Sequence, residues 1–276
     1  MDKTFRTRLK KAAVFLAALS ALVFLSVRLA GVPGWSSRFK TLEPGVEFAE
    51  FELSPEAGDG DSLVRVVRID PNLLTMKLYS ALEPGEGGVS RTVRDWAARK
   101  NLCVAINASM YQEDGVTSVS LLRKRGYVNN PRLTQNQSVL LFDPVEDGLP
   151  PVDIIDLEEE DLAKLEKYEG AVQSIRMLSG KRENTWTRQE KKWPAALVGM
   201  DKKGRVLFIH TKSSLSMHDL VEILLDLPIG LKKLQYAEGG NEAQLLVDAG
   251  SLRGFYAPAG VGWAVPNVLG FERKQQ

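Results

Sequence analysis

Tyr236-Ala237-Glu238-Gly239-Gly240-Asn241-Glu242-Ala243 closes an apolar run on two carboxylates set around a pair of glycines. Residues 234–237 read as the end of a strand, and Gly239 with Gly240 permit a tight turn or a close approach of backbone to a ligand. A strand that ends in such a turn brings Glu238 and Glu242 to one rim, an arrangement that chemistry on a sugar or phosphate uses. The plainer alternative is a hairpin turn with solvated acids.

Outward from this turn the chain alternates β-rich runs with single helices. Residues 197–200 and 205–209 flank Asp201-Lys202-Lys203-Gly204, a hairpin signal. Residues 63–69 and 73–79 flank Asp70-Pro71-Asn72 and read as another hairpin. Ser90 is placed to cap a helix over 92–100, Ser216 one over 217–227, and Asp156 an acidic helix over 157–168 closed by Gly170. A buried-type strand, 102–106, delivers Asn107 at its end and carries the only cysteine, Cys103, as a core residue. Hairpins separated by single helices, without strict βαβ alternation, predict an α+β fold: one domain over 60–276, built on a mixed sheet with flanking helices.

The start of the chain reads as an address. Residues 1–11 carry Lys3, Arg6, Arg8, Lys10 and Lys11 against Asp2, so the rest of the chain is mildly acidic although the whole has a net charge of +1. An apolar run over 12–27 follows, the layout of an export signal. Arg28 and Phe24 fall where a small residue would precede a cleavage site, which favours an uncleaved anchor over a removed signal. Residues 1–33 are therefore expected to tether the chain to a membrane, with 34–59 as linker and lead-in. The folded body would sit on the periplasmic or extracytoplasmic face of the inner membrane. No basic patch interleaved with aromatics suggests a nucleic-acid surface.

Several chemistries lack their parts. There are two histidines, His210 and His218, and no His-Glu-x-x-His motif, phosphate loop or Gly-x-Ser-x-Gly elbow. Carboxylate chemistry, or a carboxylate-bound metal, is what remains.

Four segments carry a family likeness, spanning roughly residues 60–272. Ala105-Ile106-Asn107-Ala108-Ser109-Met110-Tyr111 resembles the Ile-Asn-Ala-Gly-Met-Tyr segment of the phosphodiester glycosidase family. The run from Ala171 through Gln173-Ser174-Ile175-Arg176 to Leu178 is similar to its Gln-Ser-Gly-Pro-Met-Leu segment. Glu238-Gly239-Gly240-Asn241-Glu242 stands where the family has Asp-Gly-Gly-Gly-Ser, and Val265-Pro266-Asn267 resembles its closing strand. The chain departs from the pattern in having Glu238 for Asp, Glu242 for Ser, Arg176 for Pro, and no Arg aligned near Lys192.

The resemblance implies hydrolysis of a sugar-1-phosphodiester at the anomeric carbon, with a carbohydrate phosphodiester as partner. Glu238 would act as base or nucleophile with Glu242 beside it. Asn107 and Gln173 would hold sugar hydroxyls, with Tyr111 stacked on the ring. Arg176, or more weakly Lys192, would bind phosphate. Ser174, Gly239, Gly240 and Asn241 complete the expected substrate contacts. Plainer roles stand beside these: Asn107 satisfying backbone at a strand end, Arg176 pairing with the acidic helix. Two other readings follow from the departures and the carboxylates. One is a glycan-binding or envelope-organising protein without catalysis. The other is a phosphodiesterase with a divalent cation held by Glu238, Glu242 and His210; no other cofactor is implied.

Overall fold

In a computed structural model the described residues are 39–53 and 60–274. The chain divides into residues 1–37 and 38–276, and the expected membrane anchor at 1–33 lies outside the described residues. Among the described residues no helix is long and apolar enough to cross a membrane.

The body is built from three antiparallel sheets. The first holds six strands in the order β1-β2-β3-β12-β11-β13: β1 (Lys40–Glu43), β2 (Val46–Glu52), β3 (Leu63–Ile69), β12 (Val206–Leu215), β11 (Trp193–Asp201) and β13 (Leu231–Gly239). The second has the order β15-β14-β5-β16-β4: β15 (Leu252–Tyr256), β14 (Leu245–Ala249), β5 (Val104–Asn107), β16 (Asn267–Arg273) and β4 (Leu74–Ser80). The third has the order β7-β6-β10-β8-β9: β7 (Tyr127–Asn130), β6 (Leu122–Lys124), β10 (Tyr168–Ser174), β8 (Ser138–Pro144) and β9 (Val152–Asp156). Every pairing between these strands is antiparallel, which corrects the expected mixed sheet.

Side-chain alternation explains how the sheets face one another. On β4, Leu74, Met76 and Leu78 are buried while Thr75, Lys77 and Tyr79 are half-exposed, the period-two pattern of a strand with one face on a core. That face meets Val67 and Ile69 of the first sheet and Leu140, Phe142 and Val172 of the third in one central core. Helix α1 (Val93–Lys100) covers the other face of the second sheet, burying Trp96 against Ala105 and Val268. Helix α2 (Met217–Asp226) buries Met217, Leu220, Val221 and Leu224, as its apolar stripe requires.

Four local expectations are corrected. β3 and β4 do not pair; Asp70-Pro71-Asn72 is a corner, held by Leu73 and Leu74 N–H on the Asp70 carbonyl, that passes the chain from the first sheet to the second. β3 has β2 and β12 as partners instead, so the lead-in 40–52 belongs to the body. The acidic helix at 157–168 is a turn followed by a short 3-10 segment, Leu162–Lys167, and Gly170 lies inside β10. Thr92, not Ser90, caps α1, accepting from the Asp95 N–H. Its hydroxyl in turn donates to the Asp95 carboxylate at 2.7 Å.

Candidate active site

The carboxylate turn stands where the first and second sheets meet. β13 enters it along β11, and the register shifts between the pairs Ala196–Glu238 and Leu197–Tyr236. This bulge inserts Ala237 into the core beside Ala196 and re-aims the strand end just before Glu238. Gly240 then takes a φ of 69°, a left-handed conformation that other residues adopt only with strain. Gly239 is needed for a different reason. A Cβ there would lie 1.9 Å from the Tyr236 hydroxyl and 2.4 Å from Cδ1 of Trp193.

Side chains from both sheets clamp the turn. Asn107 Nδ2 donates to the Glu242 carbonyl at 2.8 Å, and its Oδ1 accepts from the Gln244 N–H at 2.8 Å. Gln244 Nε2 donates both to that same carbonyl, at 3.1 Å, and to the Trp263 carbonyl at 2.7 Å. From β12, His210 Nε2 lies 3.2 Å from the Ala243 carbonyl and donates to it. Burial pushes the His210 pKa down to about 3, so the ring is held neutral. Asn107 and His210 thus hold backbone, and their polar atoms toward the turn are not free for a sugar or a metal.

The acids and Tyr111 form one electrostatic unit. Burial, opposed by the Gly239 N–H at 3.0 Å and reinforced by the Glu242 charge, lifts the Glu238 pKa to about 7. Tyr111 is pushed up to about 12 by burial and then by the charges of Glu242 and Glu238. Tyr236 is raised as well, chiefly by burial and then by Glu238. No described cation forms an ion pair with Glu238 or Glu242. Among the described residues no group of three or more His, Cys, Asp and Glu could hold a metal ion, so His210 does not join the carboxylates around one.

The other expected contacts divide. Gln173 is fully buried and its amide is spent on the Thr134 N–H and on the Thr134 and Asn136 carbonyls. Ser174 is also fully buried. Arg176 reaches both oxygens of Asp156, at 2.8 and 2.7 Å, and Glu158 at 2.6 Å. Its guanidinium is therefore neutralised by the start of the segment expected to be the acidic helix. Both Lys192 and Asn241 are exposed.

Sequence reasoning missed the aromatic surroundings. Trp193 Nε1 donates to the Tyr236 hydroxyl at 3.0 Å, and the Trp186 ring lies 5.4 Å from that of Tyr236 and 6.5 Å from that of Trp193. The available signal was Trp186 standing among Asn184, Thr185, Thr187 and Arg188, an apolar ring in a polar loop.

The family model for phosphodiester glycosidases matches residues 100–272, well over half of the chain. The chain belongs to the phosphodiester glycosidase family. Its matched region runs from the end of α1 through the carboxylate turn to β16, and so contains every candidate residue above. Two solved structures share the fold of this phosphodiester glycosidase. A hypothetical protein from Synechocystis superposes with a TM-score of 0.64 at 10% identity, covering 86% of this chain and 63% of that one. The zebrafish N-acetylglucosamine-1-phosphodiester alpha-N-acetylglucosaminidase catalytic domain, auto-inhibited by its pro-peptide, gives 0.62 at 13% identity, covering 85% and 86%. No curated protein matches the chain.

Proposed function

We propose that the protein hydrolyses a sugar-1-phosphodiester, with Glu238 as general base and Glu242 as the charge that steadies the anomeric carbon. The observation that carries this reading is the coupled pair of carboxylates on one clamped turn in a phosphodiester glycosidase. A general base works best with a pKa near the working pH, and Glu238 at about 7 has one. Water would form the new C1–O bond as its proton passes to Glu238. The C1–O bond to phosphorus would break, and the phosphate monoester would leave with the bonding pair. Phosphate is a good leaving group, so no acid need protonate it. Positive charge developing at C1 would be met by Glu242, whose charge is also felt by the Tyr111 phenol.

With Arg176 committed elsewhere, Lys192 is the better anchor for phosphate: it is exposed and directly precedes Trp193, whose ring lies against Gly239. The substrate is proposed to be an envelope or extracellular glycan, reached because residues 1–33 export and tether the chain to the outer face of the membrane.

The test is release of free sugar and a phosphate monoester from methyl hexopyranosyl 1-phosphodiesters. Glu238→Gln is expected to lower the rate by about two to four orders of magnitude, the usual contribution of a general base. Release that survives Glu238→Gln combined with Glu242→Gln would discard the mechanism. A second reading, glycan binding without turnover, is favoured by one observation: no described cation pairs with the carboxylates. It predicts saturable binding of the diesters with no product.

A further inference from the structure

Away from the carboxylate turn, a cleft of about 360 Å³ opens between the second and third sheets. It lies along β4, the edge of the second sheet, three strands from β14, into which the turn runs. Roughly 14 Å of sheet separates the two strands. The floor of the cleft is apolar: Leu78 and Phe142 are buried, and the Tyr79 ring is pinned by its hydroxyl, which donates to Glu272 at 2.5 Å. Phe142 keeps its ring there because Gly170, its partner on β10, has no side chain; a Cβ would lie 2.3 Å from the ring.

Four charged side chains line the cleft, and they are not equally engaged. Lys124 Nζ donates to Glu83 at 2.7 Å and to the Leu78 carbonyl at 3.0 Å. Arg125 comes no nearer to Glu169 than 3.8 Å. Among the described residues, Lys77 and Asp143 have no side-chain hydrogen bond and no ion pair. Yet Asp143 lies in the field of Lys77, Arg125 and Lys124, with Glu169 opposing them. Burial outweighs these cations and holds the Asp143 carboxyl above its usual range. Its backbone also sits at a φ of 55°, a left-handed conformation that a residue with a side chain enters at a cost. A half-buried acid and an unpaired ammonium thus line one cleft without closing on each other. An unmatched charge drawn out of water is costly, and the cleft has room for the missing partner.

We propose that this cleft binds a small zwitterion, its ammonium on Asp143, its carboxylate or phosphate on Lys77 and Arg125, and its carbon skeleton on Leu78 and Phe142. Simpler ligands match it less well. A plain anion meets the repulsion of Asp143, and a plain cation meets that of Lys77 and Arg125. An apolar amino acid and an aminoalkyl phosphate share the required chemistry. The site does not rest on the reading of the carboxylate turn.

The experiment is titration calorimetry on the full chain with leucine, phosphoethanolamine, isocaproate and isoamylamine. The last two keep the leucine skeleton and one charge each. At least one zwitterion should bind saturably, and each singly charged analogue about tenfold more weakly or worse, since a hydrogen bond to a charged group is lost. Tighter binding of leucine would mark an amino acid or peptide as the source of the ligand, and tighter binding of phosphoethanolamine an aminoalkyl phosphate. Lys77→Met keeps the stem and Asp143→Asn keeps the shape; each should weaken the zwitterion about tenfold at an unchanged urea midpoint. Asp143→Asn should also strengthen isocaproate binding, because the repulsion is gone, an effect that a merely structural residue would not produce. Three results would each overturn the proposal: no saturable heat from either zwitterion, isocaproate binding the wild type as tightly as leucine, or zwitterion affinities within twofold of the wild type in both variants.

Discussion

Replacing Glu238 with glutamine keeps the shape of the side chain and removes its titration. In the folded chain the Glu238 pKa stands at about 7 against an ordinary value of 4.5, chiefly because the group is buried. Between those two values the native state keeps a proton that the unfolded chain releases, so stability falls as pH rises through the window. At 1.36 kcal/mol per unit this shift is worth on the order of 3 kcal/mol, and somewhat less after solvent screening of a partly exposed carboxylate. Glu238→Gln should therefore match the wild type below the lower value and exceed it by roughly 2 kcal/mol near pH 8, a gain of about 4–8 °C in Tm for a domain of this size. Urea denaturation of both proteins at a series of pH values reads this directly. Two stability curves that stay parallel from acid to alkaline pH would refute the reasoning, because Glu238 would then titrate alike folded and unfolded.

Asn107→Ala leaves the buried Gln244 N–H without its acceptor, which should cost about 1–3 kcal/mol by urea midpoint and lower kcat more than it raises KM, since Glu242 is displaced. An unchanged kcat in folded protein would show that the turn needs no clamp. His210→Gln keeps a donor for the Ala243 carbonyl but cannot titrate. The His210 pKa is depressed from 6.5 to about 3 by burial, so wild-type stability is lost as pH falls through that interval, and the variant should show a flatter acid limb. Coincident acid limbs would contradict it. Arg176→Ala strands Asp156, which is 8% exposed, and should cost about 3 kcal/mol while leaving kcat/KM per folded molecule unaltered. A large rise in KM for phosphodiesters would return Arg176 to the phosphate.

What the sequence made legible was local. The β11–β12 hairpin could be read because Asp201-Lys202-Lys203-Gly204 joins strands adjacent in both sequence and space. The same logic failed at Asp70-Pro71-Asn72, where the strands look alike but β4 finds its partner in β16, almost two hundred residues on. Pairing over such distances leaves no mark in the turn itself. At the site, two glycines and two acids announced the turn, and the motif around Asn107 announced a strand end. The identity of Asn107's partners was not readable, because a buried amide serves backbone or ligand equally well. Arg176 illustrates the same limit: the charge was visible, yet Asp156 and Glu158 claimed it only once β9 was laid near β13. The tryptophans were overlooked because exposure belongs to the folded surface and has no sequence period.

The turn is held from two directions, by Asn107 of one sheet and by His210 of another. The spacing of the acids is thereby slaved to how those layers rest on each other, with Ala196, Ala237 and Ala243 as the thin spacers between them. Enlarging any of the three alanines would act like a shim, shifting reactivity without touching a reacting group. Heating should likewise produce no early, half-alive form: loss of turnover and melting of the whole body would arrive at one temperature.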